Sequence, residues 1–140
     1  MRLVFSITII ILFSFNIIAR EIGETEITTE DGIEVFQDEK YYLLKKNVKI
    51  LSDNFKLNAK DVKIDFDKSL YDITELNAKG EVNFVSSKFG LNSKSESLKF
   101  EVKIEKLRVN GKNSELITKD IKMYSDGFIE VNNLNGDFKL

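Results

Sequence analysis

The chain predicts an all-β fold, a sandwich or elongated jelly roll wound from stacked rungs, and three features of the sequence carry that expectation. Beyond residue 20 apolar and polar residues alternate with a period of two, as half-buried strands require. Turn-forming residues interrupt the alternation at short intervals. The runs also repeat, as a unit of roughly 25 to 35 residues used three or four times. No stretch of that region makes a convincing amphipathic helix.

Taken in order, the chain opens with MRLVFSITIIILFSFNIIA, in which Arg2 precedes an apolar run ending at Ala19 and the polar REIGETEITTED follows. That is the layout of a signal peptide and predicts export. Ile17-Ile18-Ala19 matches the small-x-small cleavage rule only in part, and an apolar stretch of roughly 17 residues sits at the lower limit for a membrane span. An uncleaved anchor is therefore the alternative. A buried helix fits poorly, because Ile, Phe and Leu fall on every face. The expected division is a signal peptide over 1–19 and one β domain over 20–140, about 120 residues, enough for a modest core.

The strands follow. Val48-Lys49-Ile50, Phe55-Lys56-Leu57-Asn58-Ala59, Val62-Lys63-Ile64-Asp65-Phe66, Val82-Asn83-Phe84 and the run from Leu98 through Phe100 and Val102 to Ile104 each alternate, and Leu91 opens another. Between them the turn formers are Ser52-Asp53-Asn54, Asp67-Lys68-Ser69, Lys79-Gly80, Asn110-Gly111, Asp126-Gly127 and Asn135-Gly136. Leu57-Asn58-Ala59-Lys60-Asp61-Val62-Lys63-Ile64 returns as Leu116-Ile117-Thr118-Lys119-Asp120-Ile121-Lys122-Met123, and more loosely from Leu91 to Phe100. A second element alternates with it, at Lys46-Asn47-Val48, Lys79-Gly80-Glu81-Val82, Asn110-Gly111 and Asn135-Gly136. The apolar phase slips near Lys60-Asp61, and again between Ser93 and Leu98. A bulge or corner at those points keeps every apolar side chain inward while the chain bends from one sheet to another.

Composition narrows the function. With 21 Lys+Arg against 23 Asp+Glu the formal net charge is −2, so the chain lacks the basic face that binds nucleic acid. It has no Cys and no His, which removes thiolate nucleophiles, imidazole bases and the usual metal-ligand sets. Asp65-Phe66-Asp67 starts like a calcium loop, but Leu70 stands where the Gly belongs and Leu76 where the Glu belongs. Asp65 and Asp67 share a strand face and could mimic a glycosidase pair, although they read more simply as the solvated side of a strand. Asp61 and Asp120 occupy matching repeat positions, but Ser95 breaks the column that a β-helix enzyme would need. No metal or cofactor is expected, and without a GxxxxGK loop any ATP use belongs to a partner. The lysines read as an outer solvated face, and Tyr41 and Tyr42 as strand residues.

Two physical features point toward binding. Val48, Ile50, Leu57, Val62, Ile64, Phe66, Val82, Phe84, Leu91, Leu98, Phe100, Val102 and Ile104 form an inward apolar set that either packs as an ordinary core or lines a groove for acyl chains. The chain also finishes on an apparent strand, Asp137-Phe138-Lys139, with no proline or gatekeeper. Glu26, Ile27 and Thr28 offer a matching edge at the other end. Unprotected edges invite strand addition by another subunit, unless they pair internally or fray.

Ile27-Thr28-Thr29-Glu30-Asp31-Gly32-Ile33-Glu34, Phe36-Gln37, Lys46-Asn47-Val48, Leu57-Asn58-Ala59-Lys60-Asp61 and the Gly80-Glu81-Val82 rung resemble, in order and spacing, the LptA/OstA family of periplasmic lipopolysaccharide-transport proteins. The likeness covers roughly residues 25 to 138. It implies an open-ended β-jelly roll whose groove shields the lipid A acyl chains of lipopolysaccharide. It also implies copies that stack head to tail by strand addition, between an inner-membrane LptC-like protein and an outer-membrane LptD-like translocon. The chain is short for the family and carries Lys in most basic positions. Both departures keep open several copies per bridge, or the role of an inner-membrane-anchored partner of the same fold. A structural β-solenoid that binds no lipid is the reading from another class.

Overall fold

The computed structural model describes residues 25–140, so the expected signal peptide over 1–19 lies outside the described residues. The described chain is built of eleven strands: β1 (Glu26–Thr28), β2 (Ile33–Phe36), β3 (Tyr41–Leu51), β4 (Lys56–Phe66), β5 (Ile73–Ser86), β6 (Leu91–Glu101), β7 (Lys106–Asn110), β8 (Ser114–Ile117), β9 (Lys122–Ser125), β10 (Phe128–Asn132) and β11 (Asp137–Lys139). All join one antiparallel sheet, whose main path runs β1-β3-β4-β5-β6-β7-β10-β11. The all-β expectation is met.

The four central strands are long, 11 to 14 residues each, and the register shifts part-way along each neighbouring pair. Residues 46–47 of β3 oppose residue 60 of β4, and residues 80–81 of β5 oppose residue 96 of β6. Two residues against one is a bulge, which bends the strand; the buried positions keep their parity through the bulged strands (Leu44 to Val48, Ala78 to Val82) and change it on the strands opposite (Ala59 to Val62, Ser95 to Leu98). Stacked across neighbouring strands, the bulges form a ridge along which the whole sheet folds. Lys46, Asn47, Gly80 and Glu81 all take left-handed backbone angles there, with φ of 68°, 50°, 85° and 47°. A non-glycine residue holds that conformation only where the surroundings over-determine it, and paired strands on both sides do so here.

The ridge divides the sheet in two. One half-sheet carries β2, the 41–45 end of β3, 61–66 of β4, 73–79 of β5, 97–101 of β6, then β7, β10 and β11. The other carries β1, the 48–51 end of β3, 56–59 of β4, 82–86 of β5, 91–95 of β6, then β8 and β9. Their inner faces meet directly. Phe84, on the second half, lies 5.2 Å from Phe100 on the first, and further ring contacts run from Phe84 to Phe55 (5.7 Å) and from Phe100 to Phe89 (5.6 Å). Offset and tilted rings at such spacing add to the stabilisation from burial alone.

Three local expectations differ from what forms. Lys79-Gly80 is not a turn between strands but the bulge inside β5. The run from Leu98 to Ile104 stops as a strand at Glu101. Residues 102–105 turn back there, with Glu105 N donating to Val102 O at 3.3 Å, which places Val102 half-buried at the rim and leaves Ile104 44% exposed. The third copy of the repeat does not cross the ridge as β4 and β6 do. It breaks into the β8–β9 hairpin, closed by Thr118 N donating to Ile121 O at 2.8 Å.

Candidate functional site

The folded sheet encloses a single apolar interior, and the inward set lands in it strand by strand. Val48, Ile50, Leu57, Val62, Ile64, Phe66, Val82, Phe84, Leu91, Leu98 and Phe100 are all buried in one cluster, whereas Val102 only packs against it and Ile104 lies outside. The cluster also takes in residues that the inward set omitted: Leu76 and Ala78 on β5, Leu107 and Val109 on β7, Leu116 on β8, Met123 on β9, and Ile129 and Val131 on β10. The signal for them was present in Leu76-Asn77-Ala78, Leu107-Arg108-Val109 and Ile129-Glu130-Val131, each a short period-two alternation.

This interior is filled. Ile50, Leu57, Ile64, Leu76, Phe84, Phe100, Leu107 and Ile129 are each 0% exposed, so no water-sized space opens beside them. The two faces are in van der Waals contact, and a guest chain would have to part them. A slit of about 460 Å³ opens between the 87–90 and 118–121 turns on one side and Val131, Asn133, Gly136 and Phe138 on the other. Phe89, Ile121, Met123, Val131 and Phe138 give it an apolar lining, with Lys88 and Lys119 also on its walls. Met123 and Val131 belong to the core cluster, so the slit abuts the interior. Asn133 ties the rims together there, donating through Nδ2 to Phe89 O (3.1 Å) and to Glu105 Oε1 (3.2 Å).

The ends of the sheet are the second feature. β1, with Glu26, Ile27 and Thr28, pairs with β3 alone, and β11, with Asp137, Phe138 and Lys139, pairs with β10 alone. All three residues of β11 are exposed, Phe138 by 48%.

No family model and no curated protein sequence matches the chain. Among solved structures it is similar to LptH, the LptA-homologous periplasmic component of the lipopolysaccharide transport device of Pseudomonas aeruginosa. The TM-score is 0.67 at 10% identity, over 84% of this chain and 81% of that one. The fold is LptA-like.

On the outer face of this LptA-like fold the charges are arranged in ladders. Glu75 and Glu101 flank Lys99 at 3.2 and 3.6 Å, and Glu130 takes Lys106 at 3.5 Å and Arg108 at 3.3 Å. Asp65 stands in the same field. Partial burial pushes its carboxyl up, Lys63 draws it down, and the adjacent Glu75 pushes it up again. Asp67 lies in the loop after β4, where it is paired with Lys40 at 3.6 Å and Lys103 at 3.9 Å. Tyr41 lies outward, stacked on Phe36 at 4.7 Å with the Lys63 ammonium 4.6 Å from its ring centroid. Tyr42 points inward, and burial, aided by nearby Tyr71, pushes its phenol up to about 12. Among the described residues no group of three or more Asp or Glu side chains is gathered for a metal ion.

Proposed function

We propose that this protein is a periplasmic component of lipopolysaccharide transport, which takes lipid A acyl chains between its two half-sheets and hands them on without chemical change. The observation that carries the reading is the LptA-like fold, shared over most of both chains with a periplasmic lipopolysaccharide-transport component. The inward set from Val48 to Phe100 would be the surface that meets the acyl chains. The slit beside Phe89 and Val131 would be where the half-sheets begin to part. Strands β1 and β11, each paired on one side only, support end-to-end assembly by strand addition. Further copies of the chain, an inner-membrane LptC-like protein and an outer-membrane LptD-like translocon are the proposed neighbours. Cleavage after Ala19, read from the mass of the mature protein, corresponds to the soluble bridge, and retention of residues 1–19 to a membrane-anchored partner of the same fold.

The packed interior favours a second reading, a structural β protein that carries no lipid. Photocrosslinking to lipopolysaccharide in living cells separates the two. With a photoreactive residue at Ile64, Phe84 or Phe100, a carrier captures lipid, and at outward Lys63 it does not. A folded, exported protein that captures lipid at none of these positions is the structural one.

A further inference from the structure

The structure buries four serines: Ser86, Ser93, Ser95 and Ser114. Three of their hydroxyls are satisfied. Ser86 Oγ donates to Asn54 O and accepts from Phe89 N at 3.0 Å, Ser95 Oγ donates to Ser97 O at 2.9 Å, and Ser114 Oγ donates to Gly111 O at 2.7 Å. Ser93 is different: its residue is 2% exposed and its Oγ has no hydrogen-bond partner. It sits on the inward face of β6, opposite Phe84 on β5 and Leu116 on β8, both at 0% exposure.

A small side chain suits that place because the rings of Phe84 and Phe100 meet nearby. Alanine would give the same room without stranding a hydroxyl among apolar neighbours, so size alone does not account for serine here. The only other buried side-chain nitrogen or oxygen without a partner among the described residues is Asn58 Oδ1. It lies on β4 opposite Lys49 of β3, in a cleft that also carries Lys56 and Lys60, where donors are at hand. Ser93 has no lysine beside it: its inward neighbours along β6 are Leu91 and Ser95, and the Ser95 hydroxyl is already engaged with Ser97 O.

Resting on the carrier reading above, we infer that Ser93 is a specificity-determining residue that recognises an acyl chain bearing an oxygen function, a hydroxyl or an ester carbonyl, within its buried stretch. The Ser93 hydroxyl can donate to either group and can also accept from a hydroxyl. A plain alkyl chain leaves it unpaired, so a site containing it discriminates against chains that lack the oxygen.

The test compares wild-type protein with Ser93→Ala and Ser93→Thr in displacement of a fluorescent fatty-acid probe. The competitors are fatty acids of equal length that are unsubstituted, hydroxylated at successive carbons, or interrupted by an ester. The wild type should bind the best oxygenated chain about tenfold more tightly than the plain one. Ser93→Ala should bind the two alike, and Ser93→Thr should recover part of the preference. Without ligand, Ser93→Ala should melt a few degrees higher, because an unsatisfied buried polar group has been removed. The inference is overturned if wild type and Ser93→Ala rank the chains identically, or if Ser93→Ala melts lower, which would reveal an internal partner for the hydroxyl. A wild-type protein that binds no acyl chain at all sinks the carrier reading and this one with it, an outcome distinct from binding without discrimination.

Discussion

At Gly80 the chain takes a left-handed backbone angle of 85° inside a strand, directly beneath the Lys60 side chain. A Cβ placed there would lie 2.7 Å from the Lys60 Cβ, closer than real contacts allow. Gly80→Ala therefore meets both an unfavourable φ and a steric clash at the ridge, and should lower unfolding free energy by on the order of 2–3 kcal/mol in urea melts. Gly90 is the control. Its φ is 64° but a Cβ there meets nothing within 4 Å, so Gly90→Ala should cost only about 1 kcal/mol. Tyr42 provides a second residue-level test. Its phenol is held neutral up to about 12, against an ordinary value of 10.0 that the unfolded chain recovers. The folded state then retains a proton that the unfolded state releases, so this contribution is complete below pH 10 and is lost between about 10 and 12. Tyr42→Phe should flatten the decline of stability across that window, measured as denaturation midpoints at stepped alkaline pH. If the wild type and variant curves stay parallel there, Tyr42 is not the group responsible.

At the scale of strands, the edges are where the fold tolerates change. β11 pairs with β10 alone and exposes every residue, whereas β10 keeps β7 as its other neighbour and holds Ile129 and Val131 in the core. Deleting residues 137–140 should shift the thermal midpoint by no more than a few degrees. If copies associate end to end as proposed, the deletion should also abolish that concentration-dependent association in sedimentation velocity, since β11 would supply the strand to be augmented. Retained association would place the junction elsewhere. The strands themselves were legible in the sequence because pleat geometry writes itself into side-chain order: Val62, Ile64 and Phe66 alternate and all are buried. The slip at Lys60-Asp61 was equally legible, and it falls at the ridge. Lys79-Gly80 was misread as a turn because a tight turn and a bulge use the same residue for the same reason, a φ above zero. Only the partners on both sides of β5 distinguish them. Leu98 to Ile104 overran for a related reason, since alternation continues through a turn whose apolar residues merely cap the rim.

Across the whole molecule, the proposed carrier function depends on whether two faces that touch can come apart. Asn133 joins the rims by bonding to Phe89 O, a residue 44 positions away in sequence. Because the chain has no cysteine of its own, Phe89→Cys and Asn133→Cys can be bridged by a short bis-maleimide without side reactions. If acyl chains enter by separation of the half-sheets, the bridged protein should lose most of its uptake of a fluorescent fatty acid, while the unbridged double variant keeps it. Equal uptake in both would mean that the chains reach the interior from the sheet ends.

The sequence by itself determined which residues form strands, which of their faces are apolar and where the phase slips, because each depends on neighbours a few positions apart. Tertiary structure alone decided that the slips align into one ridge, that the interior is closed by contact of Phe84 with Phe100, and that Ser93 lacks the partner its three buried counterparts possess. Those outcomes are distances between faces contributed by different strands. A hydroxyl's satisfaction and a cavity's volume depend on what lies opposite, and no local pattern records that.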